Sequence, residues 1–149
     1  MANIFNAADN QLLVQRFETL TPESKSCWGK MNVSQMLRHC QKPMEVAEGK
    51  LKLKRNLIGF LFGRMAKNAM MKEDEFKKNL PTVAAFKANE TPEFDSEWRL
   101  LVSLIKKFGE KGPEVIADKK HPFFGELTEK EWGVLNYKHL DHHLRQFGA

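Results

Sequence analysis

Cysteine and long apolar runs are scarce in this sequence. The chain of 149 residues has two cysteines, Cys27 and Cys40, which cannot form a disulfide framework, and it has no CxxC pair. The longest apolar run, Leu57 to Gly63, is far shorter than the roughly 18 residues that a membrane span requires. Residues 1–9 have neither a basic start nor an apolar stretch, so no signal peptide is expected. These absences predict a cytoplasmic protein without a transmembrane segment.

The chain does have an ordinary globular composition and a local excess of positive charge. It is 42% hydrophobic and 29% charged, which excludes general disorder, and its length suits a single domain over residues 1–149. The net charge of +5 is uneven, because Lys50–Lys78 holds nine basic and three acidic residues and the remainder sums to −1. Nucleic acid binding is not expected, since no recognised motif or groove-reading helix accompanies the charge.

Helical periodicity occurs in four stretches, and no stretch alternates as a strand would. The first helix is predicted over about residues 8–20. The second begins at Asn32, where Gln35 completes a capping-box pattern. Pro43 lies inside this second stretch, which predicts a kink or an early end, because proline removes a helical hydrogen bond and crowds the preceding turn.

The third and fourth helices lie in the second half of the chain. The third is expected to begin near residues 91–95 and to end at Gly109 or Gly112. Its predicted apolar stripe comprises Trp98, Leu100, Leu101, Val102, Leu104, Ile105 and Phe108. The fourth opens with a capping box at Thr128 and Glu131 and continues to about Phe147.

About forty residues, 49–90, separate the second helix from the third. A connection of this length is too long for a hairpin loop and allows a crossover, so the two helices can run parallel. Residues 57–71 are expected to form a short helix within it. The predicted fold is therefore all-α, a four-helix bundle with a long crossover between helices 2 and 3.

Three of the five histidines fall in the fourth predicted helix. His139 and His143 lie one turn apart on the face that also carries Trp132 and Leu135, so both imidazoles point toward the core. This spacing lets one helix chelate a metal, although no glutamate adjoins His139 as the HExxH motif requires. His39, on the apolar side of the second helix, is the obvious third ligand. Three histidines with one open position predict a divalent metal site, for zinc or nickel, with iron also compatible.

Each candidate also has a structural explanation. An HxxxH pair arises by chance, and a helical histidine is commonly a satisfied core or surface residue. His142 lies about 60° from the face of the pair, which indicates a flanking position. Cys40 is expected to be a buried thiol rather than a fourth ligand, and Asp141 a surface partner of Lys138 or Arg145.

Two aromatic loops also have both a functional and a structural explanation. His121 belongs to the sequence His-Pro-Phe-Phe-Gly, which we interpret as an aromatic plug set by proline and glycine rather than as a proton carrier at the mouth of the site. Trp28 precedes the second helix and is expected to cap the core rather than line a pocket.

Taken together, these motifs resemble a known family. Trp28-Gly29-Lys30-Met31, Met36-Leu37-Arg38-His39 and the segments 121–125 and 137–143 resemble the DinB-like superfamily, and more closely a bacterial branch catalogued as a domain of unknown function. The resemblance implies an up-down-down-up four-helix bundle, frequent homodimers and a metal site formed by His39, His139 and His143. The superfamily includes thiol S-transferases and a thiol-dependent isomerase, so a small-molecule substrate and a low-molecular-weight thiol are implied.

Two functions are compatible with these observations. The first is a metal-dependent enzyme, either a thiol-dependent S-transferase or a hydrolase, in which the metal favours the anion of a bound thiol or water. The second is a non-catalytic helical module whose basic segment, residues 50–78, binds a membrane surface or a protein partner. That segment could equally cover the open end of the bundle, bury a dimer contact or attract small anions.

Overall fold

The chain is mostly helical, which confirms the predicted helical class. The computed structural model describes residues 1–54, 57–72, 75–80 and 84–149, and it describes their side chains except at residues 57–60. Its five α-helices are α1 (Ala7–Phe17), α2 (Val33–Ala47), α3 (Leu57–Lys72), α4 (Phe94–Lys111) and α5 (Glu129–Gln146). The helix expected within the crossover is thus α3. No helix in the described ranges is long and apolar enough to cross a membrane.

Both predicted capping boxes are present. At the start of α2, the Asn32 side chain accepts a hydrogen bond from the backbone amide of Gln35, and the Gln35 side chain accepts one from the backbone amide of Asn32. Thr128 and Glu131 form the same two hydrogen bonds at the start of α5. Pro43 does not end α2, which continues to Ala47, so the expected early end is wrong. The turn after the proline buries Met44 and Ala47 in the core, and this packing holds the helix together.

The first helix is shorter than its apolar pattern suggested. It ends at Phe17 rather than Leu20, because Glu18 caps it and the Thr19 hydroxyl donates to the Arg16 carbonyl, which draws the chain out of the helix. Leu20 is still buried.

The predicted apolar stripe of α4 was too wide. Leu101, Val102, Ile105 and Phe108 are buried, but Leu100 is 55% exposed because it lies on the outer face of the helix. Gly109 does not end this helix, which reaches Lys111.

The helices α2 and α4 run parallel, as a crossover allows. Near the start of both helices, Arg38 and Gln41 bond to the buried carboxylate of Glu97. Near the end of both, Lys107 pairs with Glu48. The contacts therefore follow the same order along the two helices. These contacts hold α2 against α4, the two helices that the long connection joins.

The direction of α1 follows from its side-chain contacts. The Asn10 amide donates to the Ile105 carbonyl and the Trp98 indole donates to the Phe17 carbonyl, so α1 and α4 are antiparallel. Arg16 pairs with Asp141 of α5. Both α1 and α2 pack against α4 and α5, and the buried apolar side chains lie between these four helices.

A short hairpin connects α4 to α5 after a 3₁₀ turn at Gly112–Val115; a second 3₁₀ turn, Ala84–Phe86, precedes α4. Strands β1 (Lys120–His121) and β2 (Gly125–Glu126) pair antiparallel. The sequence did not predict them, because two residues cannot show alternation. Helix α3 packs on this hairpin and on α5: Lys67 pairs with Glu131 and Lys138 donates to the Met70 carbonyl.

Candidate metal centre

Three histidines converge between α2 and α5. The nearest nitrogens of His39, His139 and His143 all lie within 4.8 Å of one another, and the Nε2 atoms of His39 and His139 are 3.0 Å apart. His39 and His143 are 3% and 7% exposed, while His139 reaches solvent in part. In the described part of the chain, no other group of three or more His, Cys, Asp or Glu side chains converges in this way. The three candidates from the sequence therefore meet, close enough to hold a metal ion.

The backbone sets the orientation of His39. Its Nδ1 lies 3.1 Å from the carbonyl oxygen of Phe86, in the 3₁₀ turn that precedes α4. A carbonyl only accepts, so Nδ1 carries the proton and Nε2 keeps its lone pair. Metal-binding histidines characteristically have such a partner on the second nitrogen. The lone pair of His39 thus points into the cluster.

Gln146 sets the orientation of His143 in the same way. Its side-chain NH₂ donates to the Trp28 carbonyl at 2.7 Å, which leaves its Oε1 facing His143 Nδ1 at 2.8 Å. His143 therefore carries its proton on Nδ1 and a lone pair on Nε2. Gln146 can come this close because residue 29 is a glycine: a Cβ added there would lie 2.5 Å from the Gln146 side-chain nitrogen. The Gly29 φ of +81° is also a conformation that favours glycine.

The electrostatics of the cluster keep all three imidazoles neutral at neutral pH. Burial, together with the nearby His39, lowers the pKa of His143 to about 3, against a small opposing effect of Gln146. Burial and the adjacent His143 and His39 lower the pKa of His139 well below its ordinary range. Burial also lowers the pKa of His39, in spite of the bond to the Phe86 carbonyl. Neutral imidazole is the form that binds metal.

This donor set fits a divalent transition metal. In a tetrahedral zinc site with Zn–N distances of about 2.0–2.1 Å, ligand nitrogens lie roughly 3.3 Å apart. The 3.0 Å separation of His39 and His139 is close to that value, and the His143 nitrogen lies within 4.8 Å of both. Imidazole suits zinc, nickel and iron, whereas magnesium and calcium prefer oxygen ligands.

The neighbouring candidates lie outside the cluster. Cys40 is fully buried with its thiol against the Met36 sulfur, and burial raises the thiol pKa well above its ordinary value, as expected of a structural cysteine. Asp141 pairs with Arg145, as predicted, and also with Arg16 rather than with Lys138. The flanking position expected for His142 is confirmed by its ring, 5.2 Å from that of His143.

His121 stabilises its own loop. Its Nδ1 accepts hydrogen bonds from the amides of Phe123 and Phe124 at 3.1 and 3.2 Å, and its ring packs 5.1 Å from that of Trp132. Burial lowers its pKa to about 4. These contacts agree with the interpretation of the loop as an aromatic plug.

Two residues that matter to the centre, Gln146 and Phe86, were not recognised from the sequence, and a third, Trp28, was assigned to the core. Gln146 lies three residues after His143 on the same helix, and that spacing could have indicated a hydrogen bond. Phe86 contributes only a backbone carbonyl, which has no sequence signature. Trp28 was expected in the core but is partly exposed, and it lines a cavity of about 210 Å³.

Comparison with known proteins identifies the family. The family described as "Protein of unknown function (DUF1569)" matches residues 5–149. No curated protein matches the chain, and no solved structure matches it. The family match covers nearly the whole sequence, with all three converging histidines inside it. The chain therefore belongs to the DUF1569 family of proteins of unknown function.

Proposed function

We propose that His39, His139 and His143 hold a divalent metal ion, zinc or nickel, and that the protein is a metal-dependent enzyme. The observation that supports this best is the fixed proton position on two of the three rings. Phe86 and Gln146 each occupy an Nδ1 atom, so that two Nε2 lone pairs point into one buried space. The matched arrangement leaves the Nε2 atoms of His39 and His143 as the nitrogens that can accept a cation.

The reaction class proposed is thiol-dependent S-transfer on a small molecule, with hydrolysis as the alternative. A bound cation supplies the positive charge that favours the anionic form of a thiol or water. The residues of the chain provide the remainder: α2 and α5 bury His39 and His143, and His139 is partly exposed as a residue. The hydrogen bonds to Phe86 and Gln146 keep the rings from rotating.

The directions of the helices support the DinB-like interpretation. The pair α2 and α4 is parallel and α1 is antiparallel to α4, as an up-down-down-up bundle requires. We include this bundle, in one domain, and a homodimer in the proposal. Sedimentation of the purified protein tests the dimer separately from the metal.

Metal analysis of untagged protein tests the metal site. Purified protein offered zinc or nickel is expected to bind one equivalent per chain and to melt at a higher temperature. His39→Ala and His139→Ala should abolish this binding. His142→Ala is the matched control, since it is on the same helix and beside the cluster but outside it. Wild-type protein that stays metal-free, with an unchanged melting temperature, contradicts the proposal.

A second measurement separates metal binding from thiol chemistry. Cobalt(II) replaces zinc in many nitrogen sites, and coordination of a thiolate changes its absorption spectrum. Cobalt-loaded protein should show a saturable spectral change on addition of 2-mercaptoethanol and no change with ethanol. A spectrum that does not respond to the thiol removes S-transfer from the proposal and leaves hydrolysis.

One observation favours the non-catalytic alternative. Leu61, Phe62 and Met65 of α3 are 62%, 51% and 67% exposed, and the exposed Arg64 lies among them. An apolar helix face beside basic residues is typical of binding to an anionic membrane surface. Of the basic segment, residues 55, 56, 73 and 74 lie outside the described residues. Phe62→Ser with Arg64→Gln should release the protein from phosphatidylserine vesicles if this function holds.

A further inference from the structure

A cavity of about 210 Å³ lies beside the histidine cluster. It is formed by the loop before α2, the segment after α3 and one face of α5, and its lining residues are Trp28, Glu75, Phe76, Lys78, His142 and Arg145. The His142 ring is 5.2 Å from the ring of His143. The Trp28 carbonyl also holds Gln146, which orients His143. Gln146 therefore connects a residue of the cavity wall, Trp28, to the candidate metal ligand His143 through two hydrogen bonds.

Three rings form its walls. The Trp28 ring meets the His142 ring edge-on at 5.8 Å, and the Phe76 ring lies 6.0 Å from His142 on another side. His142 also bonds to the backbone of Phe76, which fixes this wall of the cavity. Flat aromatic walls favour a ligand with a flat or apolar body.

Two cations lie at the edge of the same cavity. The Lys78 ammonium sits 4.4 Å above the Trp28 ring, and the Arg145 guanidinium is the second. Asp141 holds one nitrogen of Arg145 at 3.1 Å, and Asp141 in turn is held by Arg16 at 2.6 Å. This chain of contacts fixes the plane of the guanidinium before any ligand arrives. The terminal nitrogen of Arg145 that Asp141 does not hold is suited to a charge-assisted hydrogen bond with a carboxylate.

A carboxylate of the protein already occupies this position. Glu75 pairs with the other terminal nitrogen of Arg145, but its side chain is 64% exposed. An ion pair this open to water contributes little free energy, so a competing anion can replace it. The Glu75 carboxylate thus marks where an incoming carboxylate binds.

We infer that this cavity binds a small ligand with a carboxylate and a flat or apolar body. The carboxylate replaces Glu75 on Arg145, Lys78 supplies the second cation, and the body lies against Trp28, Phe76 and His142. The role of this ligand as a substrate rests on the proposed metal-dependent function. Its binding does not, because no residue of the cavity belongs to the histidine cluster.

Titration with benzoate tests the binding site in metal-stripped protein. The side-chain indole resonance of Trp28, assigned with Trp28→Phe, is followed in ¹⁵N-labelled protein by NMR. Benzoate should produce a saturable shift, and benzyl alcohol, which has the same ring without the charge, should produce none. Because the assay contains no metal, its failure is distinguishable from failure of the metal proposal.

Variants identify the groups responsible. Arg145→Gln and Arg145→Lys should each weaken benzoate binding, the former at least about tenfold, since it removes a charged donor. Glu75→Gln should tighten binding, because it removes the competing carboxylate. The matched control is Arg99→Gln, which lies beside Trp98 in a separate surface depression of about 390 Å³ on α4. No saturable shift, weakening by Arg99→Gln equal to that of Arg145→Gln, or weaker binding by Glu75→Gln would overturn the inference.

Discussion

Acidification between pH 6.5 and pH 4.5 is expected to destabilise the metal-free protein through its buried histidines. Burial lowers the folded-state pKa of His143 to about 3 and that of His121 to about 4, from an ordinary value of 6.5. In this interval both residues are mainly protonated in the unfolded chain and mainly neutral in the folded protein. The unfolded state therefore binds more protons, and stability falls as the pH falls. The loss is complete only below the folded-state pKa values.

The size of the effect follows from the shifts. Each histidine loses about 1.4 kcal/mol of stability per pH unit below its unfolded pKa, so His143 and His121 together cost about 4 kcal/mol at pH 5. The lowered pKa values of the other three histidines act in the same direction. Domains of this kind have a total stability of roughly 5–15 kcal/mol. Glu48 and Glu131, whose pKa values are lowered, lose stabilisation only below their ordinary value of 4.5, so the interval reports on histidines.

Urea denaturation at pH 7, 6 and 5 in the presence of a chelator measures this loss. The pH dependence of the unfolding free energy should correspond to an uptake of at least about two protons on unfolding. His121→Gln should reduce that uptake by about one proton, since His121 lies outside the histidine cluster. An unfolding free energy that is the same at pH 7 and pH 5 would refute the assignment of neutral, buried histidines.

Three further substitutions have defined outcomes. Gln146→Leu removes the hydrogen-bond acceptor of a candidate metal ligand, so metal affinity should fall about 10–100-fold in a competition titration. Gln146→Glu keeps this acceptor but loses the donor to the Trp28 carbonyl, so its metal affinity should fall less than that of Gln146→Leu. Gly63→Ala would drive a Cβ into a backbone carbonyl of the hairpin turn, so limited proteolysis within α3 should accelerate, whereas the exposed Asn68→Ala should not change it. Arg38→Leu leaves the buried Glu97 carboxylate without its cation, although Gln41 still donates to it. Because the Arg38 side chain is itself 42% exposed, urea denaturation should show a loss of about 1–2 kcal/mol, and the added change Glu97→Gln should recover part of it.

The convergence of the three histidines could be predicted because the period of a helix determines which side chains share a face. His139 and His143 share a face with Trp132, and the structure buries that ring at the core. His39 follows from its apolar neighbours on α2. Side-chain direction on a regular helix depends on spacing alone, and all three positions lie within helices, His143 in the last turn of α5.

The parts of the centre that were missed depend on tertiary placement. The carbonyls of Phe86 and Trp28 orient two histidines through loops whose paths no periodicity describes. The hairpin at Lys120–Glu126 has strands too short to alternate. The error at Leu100 has a different cause, because an apolar residue at the edge of a helical stripe can face either the core or solvent.

The contact between His39 and His139 joins residues 100 positions apart in the chain. During synthesis α2 emerges long before α5, so the centre cannot assemble until the last helix has docked. In the chain-entropy description, a cross-link that closes a loop of this length stabilises a folded protein by up to about 4.7 kcal/mol. The cation proposed above would act as a reversible cross-link of that span. A chain that stops before α5 would then lack two of the three histidines that are proposed to hold it.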